Sequence, residues 1–277
     1  MAADNGRMTF ATSGFLSDEA QRVAAEARLT FADLYALAYD CSSLAMEIAA
    51  HLPSLEKDEH VVAGSLFARA VTQFQAALIL AERGLPLDSM TQGRALIETV
   101  FVLGALADDK VSLEQLADSD FAHRKKMGNA LLPTAKENDP RTEKLKLFVA
   151  EHAGKSPIPF EVLANAAGLR GLYDVFYRHL SHFAAHPSLT ASGAHAQWLP
   201  SGELRASLRP DFAATPKALI SACRSLLVAF VKFDPIVEAS PEMRDRVMEC
   251  HEREKALYEK YRPWATEGPS AEDGAPS

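Results

Sequence analysis

Residues 93–107 read GRALIETVFVLGALA, and this stretch does most to decide the fold. Arg94 and Glu98 carry its only charges, and the remaining positions are almost all apolar. A helix that is apolar nearly all round is normally buried by its neighbours. The stretch therefore predicts a core helix, from about Asp88 to Ala107, inside an all-α protein.

Helical periodicity and capping residues predict further helices on both sides of this core helix. Ser112 followed by Gln115 has the spacing of a capping box, and Thr215 and Ser240 are caps that each precede a proline at the first helical position. Residues 197–208 alternate loosely around a Ser-Gly pair, which is typical of a hairpin or an ordered loop. The predicted helices cover residues 17–51, 58–83, 88–107, 112–136, 140–154, 169–185, 215–233 and 240–263.

The domain organisation follows from this pattern. The fold class is all-α, a compact multi-helix bundle of about seven to nine helices with a short irregular or hairpin insertion near residues 188–213. Residues 17–263 are predicted to form a single helical domain after a flexible N-terminus over residues 1–16. The acidic residues 264–277, rich in Gly, Pro and Ser, predict a disordered tail.

Composition and charge exclude several classes of protein. The chain has 277 residues, of which 48% are hydrophobic and 24% charged, as in an ordinary soluble globular protein. Its net charge of -8 disfavours a general nucleic-acid coat, although basic runs at residues 123–126 and 141–146 leave a local polyanion patch open. No apolar run reaches the length of a membrane span and no secretory leader is visible, so a cytoplasmic location is predicted. The widely spaced Cys41, Cys223 and Cys250 do not suggest a disulfide framework.

The common catalytic and cofactor motifs are missing from the sequence. It contains no Gly-rich phosphate loop, no Cys-x-x-Cys pair, no His-Glu-x-x-His and no Gly-x-Ser-x-Gly elbow. No cofactor is therefore predicted, and whether the protein is an enzyme stays open.

Arg94 and Glu98 are the first candidate functional residues. Their i, i+4 spacing lets the guanidinium and the carboxylate meet on one helix face. A buried charge is costly unless it is paired and hydrogen-bonded, so one interpretation is a structural ion pair that holds the bundle together. The other interpretation is an arginine that its glutamate orients to receive an anionic group.

The segment YRHLSHFAAHPS, which starts at Tyr177, supplies the second set of candidates. Helical spacing places Tyr177 and Ser181 on one side of a core stripe and His179 and His182 on the other. His179 and His182 are weak candidates for a metal site, because no acidic or thiolate partner lies near them in the sequence. His186 precedes a proline, which favours its leaving the helix, and its imidazole could act as a general base.

Together the two motifs resemble a widespread bacterial all-helical family that is known only as a domain of unknown function. The resemblance rests on R-x-x-x-E and on Y-x-x-L-S-x-F-x-x-H-P-S, and it covers roughly residues 30–235. It implies an all-helical fold and no particular activity. The residues to which it directs attention are Arg94, Glu98, Tyr177, Ser181 and His186.

A weaker similarity is to the HEPN superfamily of helical ribonucleases, which cleave RNA without a metal at a dimer interface. Their signature is an arginine, about four to six residues, and then a histidine. Here three residues separate Arg178 from His182, and seven separate it from His186. The spacing and the acidic charge of the chain both weigh against a ribonuclease.

Two hypotheses for function follow. In the first, the protein is a binding or interaction protein in which Arg94, Glu98, Tyr177, Ser181 and His186 form a buried polar network. In the alternative, the same cluster is the active site of a HEPN-like ribonuclease or another phosphoester hydrolase. Arg94 would then clamp an anionic group, Glu98 would orient Arg94, and His186 would move the proton, with Tyr177 and Ser181 positioning substrate or water.

The sequence favours the first hypothesis slightly, since no motif in it requires chemistry. The predicted partner is an unknown protein or a small anionic ligand. No membrane partner is predicted, a homodimer stays open, and nucleic acid is open but is not favoured by the charge.

Overall fold

A computed structural model gives the arrangement of residues 9–50, 56–136, 139–193 and 195–264. Strands β1 (Ala196–Trp198) and β2 (Leu204–Ala206) pair antiparallel, with Gln197 opposite Arg205. The rest of the regular structure is helical, so the predicted all-α class is confirmed. The helices are α1 (Phe10–Ser13), α2 (Glu19–Thr30), α3 (Ala32–Ala50), α4 (Asp58–Glu82), α5 (Pro86–Ala107), α6 (Leu113–Leu131), α7 (Pro140–Glu151), α8 (Phe160–Ala166), α9 (170–185), α10 (Leu189–Gly193), α11 (Thr215–Val237) and α12 (Pro241–Tyr261).

The core of the molecule is built on α4, α5 and α11, which pack against one another. The predicted core stretch lies in α5, where Leu96, Phe101 and Leu103 are fully buried. Phe67 of α4 stacks on Phe233 of α11 with ring centroids 4.6 Å apart. Each fully buried side chain of this size contributes about 1.5–3 kcal/mol through the hydrophobic effect, so these three helices form the rigid part of the fold.

Most predicted elements are present with shifted ends. The predicted helix over residues 17–51 is two helices, because the backbone leaves α2 at Phe31, where φ is -119° and ψ is 44°, and α3 begins one residue later. The predicted hairpin is β1–β2. The described part of the chain holds nine helices of at least 12 residues, at the upper end of the predicted number. Three shorter helices, α1, α8 and α10, were not predicted.

Regular structure reaches into the first predicted terminus, and a packed side chain lies at the start of the second. Helix α1 and a 3₁₀ turn over Gly14–Leu16 lie within residues 1–16, which the sequence predicts to be flexible. Trp264, the first residue of the predicted tail, packs against Phe176 with ring centroids 5.6 Å apart. Residues 1–8 and 265–277 lie outside the described part, and both predictions stay predictions.

Local capping agrees with the sequence at two of the three predicted caps. The Gln115 amide donates to the Ser112 hydroxyl at 3.2 Å, and the Ser112 amide donates to the Gln115 side chain at 2.9 Å, which completes the capping box. Ser240 accepts from the Met243 amide at 3.3 Å. Thr215, in contrast, is the first helical residue after an Ala214 cap, and its buried hydroxyl has no hydrogen-bond partner among the described residues.

A tight contact at Gly84 fixes the insertion to the end of α4. Gly84 has a φ of +74°, and a Cβ built on it would meet the Cβ of Pro210 at 2.5 Å. The Asp211 amide donates to the Gly84 carbonyl at 3.0 Å. Only glycine combines this backbone conformation with so close an approach.

Helix α4 is long and apolar enough to cross a membrane by length and composition alone. The core helix of a soluble protein meets the same criteria, and here Ala63, Phe67, Ala70, Phe74 and Ala77 are all buried. Helices α5 and α11 of the same chain cover it. The packing in the structure is therefore that of a core helix.

Candidate functional site

The candidate site lies along the seam between α5 and α9. Gly93 faces Leu180, Arg94 bonds Ser181, and Phe101 contacts Tyr173 further along. Residue numbers rise along α5 as they fall along α9, so the two helices run antiparallel. A Cβ built on Gly93 would lie 3.6 Å from the Leu180 side chain, which is an ordinary van der Waals contact.

Four of the five predicted residues form one hydrogen-bonded network, which we call the seam network. Arg94 Nη2 lies 3.0 Å from Glu98 Oε1, and Arg94 Nε donates to Ser181 Oγ at 2.9 Å. Arg94 Nη2 also lies 3.1 Å from the Tyr177 hydroxyl, which donates to Glu98 Oε1 at 3.1 Å. Charge-assisted hydrogen bonds of this kind are stronger than neutral ones.

The seam network is half-buried rather than sealed. The side chains of Arg94 and Glu98 are 26% and 22% exposed. Among the described residues, Arg94 Nη1 and Glu98 Oε2 have no hydrogen-bond partner. Nη1 of the guanidinium is thus not used by the network, whereas Nε and Nη2 bond to side chains of α5 and α9.

Helix α9 is unusual in its backbone. It is π-helical over Leu172–Tyr177 and over Ser181–Ala185, with one α-helical turn between. Tyr177 ends the first π segment and Ser181 begins the second, and the Ser181 hydroxyl donates to the Tyr177 carbonyl at 2.8 Å. The π-helix is rare, and short π segments within helices frequently occur at functional sites.

Aromatic side chains support Tyr177 from several sides. Its ring stacks on Tyr173 at 5.1 Å and meets the edge of Phe101 at 5.8 Å, and the Arg94 guanidinium lies 5.1 Å from its centroid. Burial raises the pKa of Tyr177, the hydrogen bond from Arg94 opposes that shift, and the charge of Glu98 adds to it. The phenol therefore stays protonated and can donate to Glu98.

His186, the fifth predicted residue, lies outside the seam network. It caps α9 in an extended conformation, so it has left the helix as predicted, and its exposed ring has no hydrogen-bond partner among the described residues. It lines a cavity of about 320 Å³ at the end of the seam, together with Asp88, Thr91, Ser192 and His195. We call this space the His186 cavity.

The His186 cavity and the seam network are neighbours. Thr91 lines the cavity and lies three residues before Arg94 on α5, which corresponds to a rise of about 4.5 Å along the helix. Sequence reasoning did not find Asp88, Thr91, Ser192 or His195. No pattern in the sequence relates these residues, because they come together only through the turn after His186 that leads into α10.

The two weak metal candidates, His179 and His182, lie in different surroundings. His179 packs on Phe183 with ring centroids 4.1 Å apart, and its Nε2 lies 3.4 Å from Lys217 Nζ. Burial, together with the charges of Lys217 and His182, lowers the pKa of His179 to about 4. His182 is exposed, and no set of three or more His, Cys, Asp or Glu side chains within the described ranges has an arrangement that could hold a metal ion.

Several basic side chains of residues 123–126 and 141–146 pair with nearby groups of the same chain. Arg124 pairs with Asp120 at 2.7 Å, and Arg141 pairs with Asp139 at 2.6 Å. Lys125 donates to two backbone carbonyls, at Ala153 and Lys155. These contacts are typical of a solvated helix face, and they leave fewer unpaired cationic side chains to bind a polyanion.

The fold and the seam network define an all-helical protein that carries a half-buried polar network between two antiparallel helices, with a small cavity at its end. A family model described as a family of unknown function (DUF5677) matches residues 60–202. The match spans just over half of the chain, so the protein belongs to this family. It includes α5, α9, all of α4 except its first two residues, and every residue of the His186 cavity.

The predicted resemblance to a helical family of unknown function is thus confirmed, over a shorter range than the predicted residues 30–235. Comparison with curated proteins and with solved structures gives no match. The similarity to HEPN proteins stays a prediction.

Proposed function

We propose that this protein is a non-catalytic binding protein whose ligand is a small anion held in the His186 cavity. In this proposal the seam network fixes α5 against α9 and does not move protons. One observation carries the proposal: the Arg94 guanidinium is held by Glu98, Tyr177 and Ser181, while the His186 ring lies outside that network.

The hydrogen bonds of the seam network support a positioning role. An arginine that binds two hydroxyls and a carboxylate across two helices cannot move without losing several charge-assisted bonds at once. Hydrogen bonds to charged groups each stabilise a protein by about 1.5–3 kcal/mol when buried, and by less when half-exposed. The network therefore sets the register of the two helices that form the walls of the cavity.

The chemistry of the His186 cavity supports a small polar ligand. Two imidazoles and two hydroxyls, from His186, His195, Thr91 and Ser192, offer hydrogen bonds, beside apolar walls of alanine, leucine and proline. The first turns of α5 contribute to the lining, and a helix N-terminus favours negative charge. The free edge of Arg94 lies about one turn further along the same helix.

Asp88 also lines the cavity, and its charge opposes an anion. The change in anion affinity on each substitution therefore has a predicted direction. Asp88→Asn should tighten binding, because a repulsive charge is removed, whereas His186→Ala should weaken it, because a hydrogen-bond donor is lost. His182→Ala is the matched control, since His182 is an exposed histidine of α9 that does not line the cavity.

The experiment is calorimetric titration of the four proteins with inorganic phosphate and, separately, with malonate. We expect a dissociation constant of roughly 1 mM for the wild type, equivalent to about -4 kcal/mol. It should be weaker by about tenfold in His186→Ala, tighter in Asp88→Asn and unchanged in His182→Ala. Equal affinity in all four proteins would show that the cavity is not the anion site.

The alternative function is a phosphoester hydrolase, including a HEPN-like ribonuclease, that uses the same residues. The observation that favours it is the unpartnered Nη1 edge of Arg94, about one helical turn from the cavity that His186 lines. Hydrolysis of RNA or of nitrophenyl phosphate tests it. Turnover by the wild type that is lost in a folded His186→Ala variant would replace the binding proposal with this one.

A further inference from the structure

An apolar cavity lies where α4 meets the ends of α3 and α11 and the first half of α12. Its volume is about 290 Å³, and its walls include Ile48, Phe67, Phe230 and Phe233. These four side chains are buried members of the hydrophobic core. Protein interiors contain few spaces larger than a water molecule, so a space of this size beside the core is a candidate ligand site. We call it the Phe230 cavity.

The Phe230 cavity is reached from solvent on one side. Val231, Arg244 and Met248 line it, and each is more than half exposed. Among the described residues of the lining, only Asp234 and Arg244 are charged. A ligand can therefore bury an apolar chain against the phenylalanine rings while its polar end stays near these two side chains.

Asp234 holds Arg244 by one edge of the guanidinium. Arg244 Nε donates to Asp234 Oδ1 at 3.1 Å and to Oδ2 at 3.0 Å. The same carboxylate accepts from the Ala239 amide at 3.2 Å, which ties the pair to the turn between α11 and α12. Nη1 and Nη2 of Arg244 have no hydrogen-bond partner among the described residues. Two adjacent donors of one guanidinium match the two oxygens of a carboxylate.

We propose that the Phe230 cavity binds one aliphatic monocarboxylate of about ten carbons, with its chain against the buried wall and its carboxylate on Nη1 and Nη2 of Arg244. The chain length follows from the volume. An apolar cavity of about 150 Å³ takes up one benzene, which has six carbons, so about 290 Å³ holds roughly ten to twelve. None of the residues lining the Phe230 cavity lines the His186 cavity, so the two sites are independent.

The experiment is titration of the protein with sodium decanoate, below its micelle concentration, followed by NMR of the side-chain methyl groups. Ile48, Val237 and Val247 line the cavity, and their signals should shift together and saturate with one dissociation constant. Leu29 and Leu189 are exposed and do not line the cavity, so their signals should not shift. Inorganic phosphate has no apolar chain and should leave the cavity signals unchanged.

Chain length and head group each have a predicted effect on the dissociation constant. Each buried methylene should tighten binding about fourfold, so octanoate should bind about fifteenfold more weakly than decanoate. Chains longer than dodecanoate should gain little, because the cavity is then full. Decanol keeps the chain without the charge and should bind about tenfold more weakly than decanoate.

Arg244→Gln separates the head-group contact from the chain contact. It should weaken the binding of decanoate about tenfold and leave that of decanol unchanged, because only the guanidinium is lost. Arg246→Gln is the matched control: Arg246 is also in α12, its side chain is 46% exposed and pairs with Glu47, and it does not line the cavity. Val247→Trp should fill the cavity and abolish the binding of both ligands, with circular dichroism to confirm that the variant is folded.

The proposal is wrong if decanoate leaves the cavity methyl signals unshifted, or if affinity does not rise with chain length from hexanoate to decanoate. It is also wrong if Arg244→Gln fails to weaken decanoate more than decanol. Shifts of the cavity signals that grow with protein concentration in the absence of ligand would show that a second copy of the chain occupies the cavity, and they too would contradict it.

Discussion

Removing the Arg94 guanidinium should destabilise the protein far more than removing an exposed arginine in the same helical geometry. Arg94→Met keeps much of the apolar stem of the side chain but deletes its bonds to Ser181 and Tyr177 and its ion pair with Glu98. Glu98 then keeps its charge in a half-buried position with only the Tyr177 hydroxyl as a donor.

The expected size of this effect follows from the geometry. Two charge-assisted hydrogen bonds and one ion pair are lost, and each contributes about 1–2 kcal/mol when half-buried. Arg94→Met should therefore lower the free energy of unfolding by about 3–6 kcal/mol, and Glu98→Gln by about 1–2 kcal/mol. In a double-mutant cycle the two residues should couple by about 1–2 kcal/mol.

The chain contains its own control pair. Arg124 and Asp120 also form an i, i+4 ion pair, at 2.7 Å, but their side chains are 62% and 56% exposed. Their coupling energy should be within about 0.5 kcal/mol, as for other exposed helical pairs. Both cycles are measured by urea unfolding followed by circular dichroism. If the Arg94–Glu98 coupling is no larger than the Arg124–Asp120 coupling, the argument that half-burial in the seam network strengthens the Arg94–Glu98 pair is refuted.

Three further predictions use the same unfolding assay. Tyr177→Phe keeps the ring and removes only the hydroxyl, so it should cost about 1–2 kcal/mol; a cost within error of zero would show that the hydroxyl does not support the network. The pKa of His179 is lowered to about 4, so the folded chain binds this proton at a lower pH than the unfolded chain does. The stability that is present above about pH 6.5 should therefore fall as the pH drops toward 4. His179→Gln should make this fall smaller by about 1–2 kcal/mol between pH 7 and pH 4.5, and equal slopes in the two proteins would contradict the assignment. Gly84→Ala should cost about 1–3 kcal/mol because of its positive φ and its contact with Pro210, and a neutral result would contradict the described turn.

Local signals explain why the fold was largely predictable. The apolar stretch of α5 has few ways to be buried other than as a core helix. The start of α6 is marked by a capping box that needs only the four residues from Ser112 to Gln115. Those features depend on neighbours in sequence. The break at Phe31 was missed because the apolar periodicity continues across it, and α8 was missed because its seven residues are too few to show a period.

The candidate site was predictable only in part, for a related reason. Arg94 with Glu98, and Tyr177 with Ser181, are i, i+4 pairs, and each pair lies on one helix face. Once α5 and α9 pack antiparallel, the two pairs meet. The position of His186 depends instead on where the chain turns after α9. That turn is not encoded in a local pattern.

A phosphate titration of the wild type, followed by NMR of the histidine ring nitrogens, decides whether the His186 cavity binds an anion. We expect the His186 and His195 signals to shift together and to saturate with one dissociation constant, while the His179 and His182 signals do not shift. Shifts at His182 alone, or equal shifts at all four rings, would contradict a ligand site in the His186 cavity.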